Sequence, residues 1–121
     1  AAGTIHAADL EDVYRQSFDA IINATPLGMK GGPDPAGTAV SIERIIKGVR
    51  AGAPVVFDTV YNPLETQLLR DAARAGLRTI DGLGMFVEQA AAQFASWTGR
   101  AAPRGLFERI CREELEEHAS A

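Results

Sequence analysis

The chain has 121 residues, 46% hydrophobic and 23% charged, with a formal net charge of −4. That suffices for one domain with a modest core, and it argues against nucleic acid as a partner, because Lys and Arg are scattered without a basic stripe. No apolar run nears the ~20 residues of a membrane span and no signal-peptide pattern opens the sequence, so no membrane partner and a cytoplasmic address are expected.

In chain order, Thr4-Ile5-His6 is a small β-leaning run, and Asp9 through Gln16 reads as a short helix with Leu10 and Val13 as its apolar face. From Phe18 to Asn23 the apolar residues crowd without alternation, the pattern of a parallel strand buried on both faces. Residues 24–40 hold four glycines and three prolines and form a loop. A short helix begins at Ser41, with Ile42, Ile45, Ile46 and Val49 predicted to point inward and Gly48 and Gly52 weakening its end. Pro54 to Val60, β-branched and aromatic, is the strongest predicted strand, and Asn62-Pro63 breaks it.

Thr66 to Ala75 is predicted to be helical, with Leu64, Leu68, Leu69 and Ala72 on its inner side and Gly76 at the left-handed C′ position. Leu77 to Ile80 is a further short strand. The long helix from Leu83 to about Thr98 carries an apolar stripe of Leu83, Phe86, Val87, Ala90, Phe94 and Trp97, spaced for one helical face. Asp81 stands where an N-cap carboxylate is expected, and Gly82 and Gly84 remove side chains where strand meets helix. That turn suits the close approach of a bound group, and equally a plain tight turn into a core helix. Gly99 to Pro103 is a hinge. Leu106, Phe107, Ile110, Cys111 and Leu115 stripe a final helix, on which Cys111 is expected to be a buried, inert thiol. The acidic tail of that helix opposes the dipole, so its last turn is expected to fray.

Short buried strands alternating with helices imply an α/β domain with a parallel sheet. Ligands of such sheets sit beyond the carboxyl ends of the strands. Three predicted strand ends carry polar or glycine-rich groups there: Asn23-Ala24-Thr25, Asp58-Thr59-Val60-Tyr61 and Asp81-Gly82-Leu83-Gly84. His6 and His118 match no metal-ligand spacing, and Cys111 has no histidine at helical reach, so no metal site and no nucleophilic dyad are expected.

Three segments in register carry a resemblance: Ile22-Asn23-Ala24-Thr25-Pro26-Leu27-Gly28-Met29, Asp58-Thr59-Val60-Tyr61-Asn62-Pro63-Leu64-Glu65-Thr66, and Asp81-Gly82-Leu83-Gly84-Met85 followed by Gln89-Ala90-Ala91. They resemble the carboxyl-terminal half of shikimate dehydrogenases, from about Ala8 onward. The resemblance implies a partial Rossmann-like, three-layer αβα fold that lacks its first βαβ unit. Residues 1–121 would be the carboxyl-terminal fragment of an NADP-binding domain, with 98–121 a terminal helical segment. It also implies the activity of the complete enzyme, reduction of 3-dehydroshikimate to shikimate with NADPH in aromatic amino acid biosynthesis.

By the same resemblance Tyr61 and Gln89 bind substrate, while Asn23, Ala24, Thr25, Thr59, Gly82 and Met85 line the cofactor. Other roles stay open for three of them: Tyr61 as a cap on the strand–helix turn, Gln89 as a solvated side chain, and Met85 as core packing. The family's catalytic lysine–aspartate pair, its glycine-rich phosphate turn and the basic residue that selects the 2′-phosphate have no counterpart here. Lys30 and Lys47 both stand outside the lysine motif. The isolated chain is therefore expected to have no catalytic residue, to be inactive and to bind NADP weakly. In the sheet order 3-2-1-4-5-6 the Phe18–Asn23 strand would be the fourth, deprived of its central neighbour, with Thr4-Ile5-His6 the orphaned third. Self-association through residues 18–23, or re-docking of the amino terminus there, is expected. A quinate-preferring relative and a non-catalytic α/β association module are the alternatives.

Overall fold

The structure, a computed structural model, describes residues 3–48 and 52–120. Three strands, β1 (Ala20–Asn23), β2 (Val55–Asp58) and β3 (Thr79–Ile80), form a parallel sheet in the order β1-β2-β3. The register pairs Ile21 with Val56, Asn23 with Asp58, and Phe57 with both Ile22 and Ile80. All three strands thus end on the same side of the sheet, as the α/β reading requires.

Helices α1 (Ile42–Gly48) and α2 (Gln67–Arg74) cover one face. Ile21 and Val56 point to that face and join Ile42, Ile45, Leu68, Leu69 and Ala72 in the principal core. Thr66 caps α2, its hydroxyl accepting from the Leu69 N–H at 3.3 Å. Gly76 follows the helix at φ +77°, the left-handed turn the sequence predicts. Ile42 and Ile45 are buried as expected, but Ile46 is 42% exposed, and Val49 lies outside the described residues. Seven residues make only two turns, so one narrow stripe reaches the sheet and the residue beside it does not.

The opposite face is bare. Ala20, Ile22, Val55, Phe57 and Ile80 alternate out of the core, and Ile22 and Ile80 are 58% and 49% exposed. This corrects the expectation that the Phe18–Asn23 strand is buried on both faces. Its composition is that of a doubly covered strand, but α3 (Leu83–Thr98) and α4 (Arg104–Ala119) pack on each other instead of on the strands. Phe18 precedes the strand and is 40% exposed.

The amino-terminal expectations are also corrected. Thr4-Ile5-His6 forms no strand, and Ile5 is fully exposed. The Asp9–Gln16 helix is reduced to a 3-10 helix, Leu10–Tyr14, with no buried residue. Tyr14 anchors it to α1: its oxygen accepts from the Ser41 N–H at 2.9 Å, and the Arg44 guanidinium lies 3.7 Å over its ring. Arg44 also makes a two-pronged contact with Glu11, at 3.0 and 2.6 Å.

On α3 the buried positions are Leu83, Val87 and Ala91, a narrower stripe than predicted. Phe94 meets Phe107 of α4 edge-on at 5.8 Å, while Trp97, one turn later, is 80% exposed. No residue of α4 is buried, and Cys111 is half-buried, not a core thiol, because α4 has α3 alone to pack against. The predicted fraying of α4 is not found. The helix runs to Ala119, with the Lys30 ammonium 3.4 Å from the His118 carbonyl and the His118 ring against the Glu114 carbonyl. Basic groups at that end oppose the unfavourable acidic tail.

Candidate site at the strand tips

The carboxyl ends of β1 and β2 are joined by one buried polar cluster. Asn23 is 3% and Asp58 0% exposed. The Asn23 amide donates to Asp58 Oδ1 at 3.0 Å and to the Leu27 carbonyl at 3.2 Å. Its Oδ1 accepts from the Thr25 N–H at 3.0 Å and from the Thr25 hydroxyl at 2.7 Å. Asp58 Oδ1 also accepts from the Val60 N–H at 3.0 Å, and its Oδ2 accepts from the Thr66 hydroxyl at 2.7 Å. Both strand exits and the start of α2 are therefore tied to a single carboxylate, in a dry setting where hydrogen bonds to charge are strong.

This cluster shapes the loop that follows β1. Thr59 bonds back to the Asn23 carbonyl through its N–H at 3.0 Å and its hydroxyl at 2.8 Å. Ala24 and Thr25 emerge exposed from the cluster. Beyond them a cavity of about 250 Å3 opens, lined by Thr25, Met29, Lys30, Thr59, Tyr61 and their neighbours. Lys30 is the one cationic residue on its wall, and its backbone N–H donates to the Asn62 carbonyl at 2.8 Å.

The third tip joins through backbone contact. A Cβ on Gly82 would stand 2.5 Å from the Thr59 oxygen and 2.8 Å from the Val60 oxygen. The close approach that requires glycine there is by the chain's own β2 exit. Gly84, one residue into the helix, faces open space. Asp81 is one position before the cap and still takes the Leu83 N–H, at 3.1 Å. Tyr61 stacks on Phe86 of α3, with centroids 4.2 Å apart and planes 20° apart.

Of the residues singled out by sequence, Thr25, Thr59 and Tyr61 share the cavity. Ala24 does not line it: with Asn23 and Thr25 it lines a second cavity of about 310 Å3 along β1, where Asn23 is held by its bond to Asp58. Met85 and Gln89 share one face of the first turns of α3, and Gln89 is one turn on from Phe86, hence from Tyr61. Two residues were not assigned a role by sequence reasoning. Asp58 organises the tips, and its signal was an acid closing an apolar strand with a threonine eight positions on. Lys30 lines the cavity, which no spacing rule announces. Among the described residues no cluster of three metal-ligating side chains occurs, and no helix is long and apolar enough to cross a membrane.

Residues 82–112 match the model of the shikimate 5′-dehydrogenase C-terminal domain family. A shikimate dehydrogenase (NADP+) from Methanocella arvoryzae is 36% identical over 115 residues, covering 93% of this chain and 40% of the relative. The crystal structure of Thermus thermophilus shikimate 5-dehydrogenase in complex with NADP(H) and shikimate superposes with TM-score 0.70 at 29% identity, over 90% of this chain and 38% of that one. Corynebacterium glutamicum quinate dehydrogenase in complex with NAD gives TM-score 0.66 at 35% identity, over 83% and 32%. The chain thus spans about 40% of the length of the curated relative from M. arvoryzae.

Proposed function

Because the chain belongs to the shikimate dehydrogenase family over the carboxyl-terminal part of those enzymes, we propose that it forms one wall of an NADP-dependent shikimate dehydrogenase site. The reaction is reduction of 3-dehydroshikimate to shikimate. The single observation that carries this reading is the convergence of three parallel strand tips on one side of the sheet, with hydroxyl groups and an open cavity between the first two.

Residues 1–121 then act as the carboxyl-terminal part of the cofactor domain, with 98–121 as its terminal helical segment. Tyr61 and Gln89 contact the substrate. Ala24, Thr25, Thr59 and Met85 lie against the nicotinamide end, and Asn23 and Gly82 position them from below. The residues present fit that end of the cofactor: Ala24 is exposed at the exit of β1, next in the chain to buried Asn23, and Gly84 leaves the helix start unobstructed. NADPH, when bound, supplies the hydride. The chain's own part is to orient the ring and hold substrate hydroxyls, which a phenol and an amide do by both donating and accepting. A proton donor for the developing alkoxide belongs to the family's lysine–aspartate pair, so the 121-residue chain alone is inactive and grips NADP weakly. A cytoplasmic setting belongs to the same reading, as does self-association through residues 18–23, for which the unpaired β1 edge is the support. Likeness to a quinate dehydrogenase supports a second reading in which quinate is the substrate.

The test is a titration of the isotope-labelled chain with shikimate and with NADP, read at the backbone amides, beside a turnover assay. Shifts should concentrate at residues 24–25, 59–61 and 85–89 with no turnover. Shifts confined to the amino ends of the strands would overturn the site, and turnover at an ordinary enzymic rate would overturn the inactivity of the 121-residue chain alone.

A further inference from the structure

Phe86 belongs to the apolar stripe predicted for α3, yet the buried positions of that helix are Leu83, Val87 and Ala91, and Phe86 is only half-buried. It falls between the segments Asp81–Met85 and Gln89–Ala91 that carry the family resemblance, and it does not line the tip cavity. Neither helix burial nor ligand contact therefore accounts for a large ring at this position. What the ring meets is Tyr61, at a centroid distance of 4.2 Å and an interplanar angle of 20°.

Tyr61 has little else to hold it. It stands three residues beyond Asp58, the last residue of β2, outside any helix or strand. Its side chain is 37% exposed at the cavity wall, and its hydroxyl has no hydrogen-bond partner among the described residues. A ring laid flat on the phenol restricts its rotation through apolar contact alone and leaves the hydroxyl free to donate and accept. The support is itself fixed. The Phe86 N–H donates to the Gly82 carbonyl at 3.1 Å, and Gly82 lies against the Thr59 and Val60 carbonyl oxygens. The β2 exit thus carries Tyr61, abuts Gly82, and receives Phe86 back onto Tyr61 one helical turn later.

We propose that Phe86 is a positioning residue that acts through Tyr61, holding the phenol in the one orientation in which it meets a ligand at the strand tips. Gln89 lies one turn on from Phe86 along α3, so the same stack sets the spacing between the phenol and the amide. The inference rests on the proposed substrate role of Tyr61 and adds a residue that works without touching the ligand. Loss of the stack should weaken binding about threefold to tenfold.

The experiment titrates the labelled 121-residue chain with shikimate in wild type, Phe86→Leu, Phe86→Trp, Tyr61→Phe and the double variant Tyr61→Phe/Phe86→Leu. The chain holds two tyrosines, Tyr14 and Tyr61, so ring relaxation reads Tyr61 directly with Tyr14 as internal control. Phe86→Leu should loosen the Tyr61 ring, leave Tyr14 unchanged and weaken shikimate about threefold to tenfold. Phe86→Trp, which restores a flat face, should recover both. Adding Phe86→Leu to Tyr61→Phe should cost nothing further, because the hydroxyl being positioned is already gone. Amides unchanged away from the β2 exit and the start of α3 certify the fold; if Phe86→Leu disturbs the sheet, Phe86→Met takes its place. A loss that persists at full size in the double variant overturns the proposal, since Phe86 then acts by packing alone. Unchanged affinity or an unchanged Tyr61 ring in Phe86→Leu overturns it as well, and with wild-type binding intact the proposed function stands. Absence of any wild-type shift at the tips sinks both.

Discussion

Asp58 receives three donors, from Asn23, Val60 and Thr66, with none of its surface open to water. A neutral amide at that position has one acceptor oxygen, so Asp58→Asn leaves at least one buried donor unsatisfied. The expected loss is about 2–4 kcal/mol, measured as a lower urea midpoint with an unchanged slope. Gly82 gives a second residue-scale expectation. A methyl group there overlaps the Thr59 and Val60 backbone, which cannot move aside without dragging β2, so Gly82→Ala should cost about 1–3 kcal/mol. Gly84→Ala is the control: nothing lies within 4 Å of its added methyl, and alanine favours the helix by up to about 1 kcal/mol. Thermal melts of the two variants should move in opposite directions. Sequence marked both glycines and the strand-end aspartate as special. It could not say which glycine is crowded or where the Asn23 amide points, because both depend on the register that sets Asn23 beside Asp58.

At the scale of elements, what periodicity reads well is a stripe wide enough to be buried by more than one neighbour. α2 follows most of its predicted face, with Leu68, Leu69 and Ala72 buried between sheet and α1, while Leu64 falls before the helix and is half-buried. Trp97 and the apolar residues of α4 do not, since a pattern of apolar residues records what a helix is built to meet and not whether that surface is present. The amino-terminal 3-10 helix was the least legible, because Tyr14 and Arg44, the residues that fasten it, belong to no repeating pattern. Its attachment should depend on pH. The hydrogen bond from Arg44, aided by its charge, holds the Glu11 carboxyl below the usual glutamate range, and Lys47 does the same for Glu43. A lowered folded-state value means that the contribution is complete above about pH 4.5 and is lost as pH falls through the lowered value. The Ser41 amide, bonded to the Tyr14 oxygen, reports on this joint. Its resonance should shift in acid with a midpoint below that of a free glutamate and should lose the transition in Glu11→Gln. High salt should weaken the effect, since both partners are exposed.

For the whole molecule, the decisive asymmetry is a sheet with one face covered and the other open. β2 is paired on both sides, so its backbone is satisfied, whereas β1 is a free edge. In a parallel ladder alternate residues face the partner, and here Asp19 and Asn23 give their carbonyls to β2. Ala20 and Ile22 therefore turn their backbone groups to the open edge. Ile22 adds a second hazard on the bare face, where it forms a row across the sheet with Phe57 and Ile80. An apolar edge strand with unpaired groups is a template for another chain. The sequence disclosed this much through the mismatch between a doubly buried strand pattern and the lack of a central neighbour. The proposed self-association follows, and Ile22→Lys tests it. The side chain at Ile22 is 58% exposed, so the lysine ammonium reaches water and the fold should lose little stability. A charge on that row should nonetheless disfavour pairing of two like edges. Sedimentation velocity over a range of concentrations should show a concentration-dependent species in the wild type and a monomer in the variant. If both sediment alike as monomers, the edge is already protected by its twist and short length. If both associate alike, the contact lies elsewhere, with exposed Trp97 on α3 the next surface to alter.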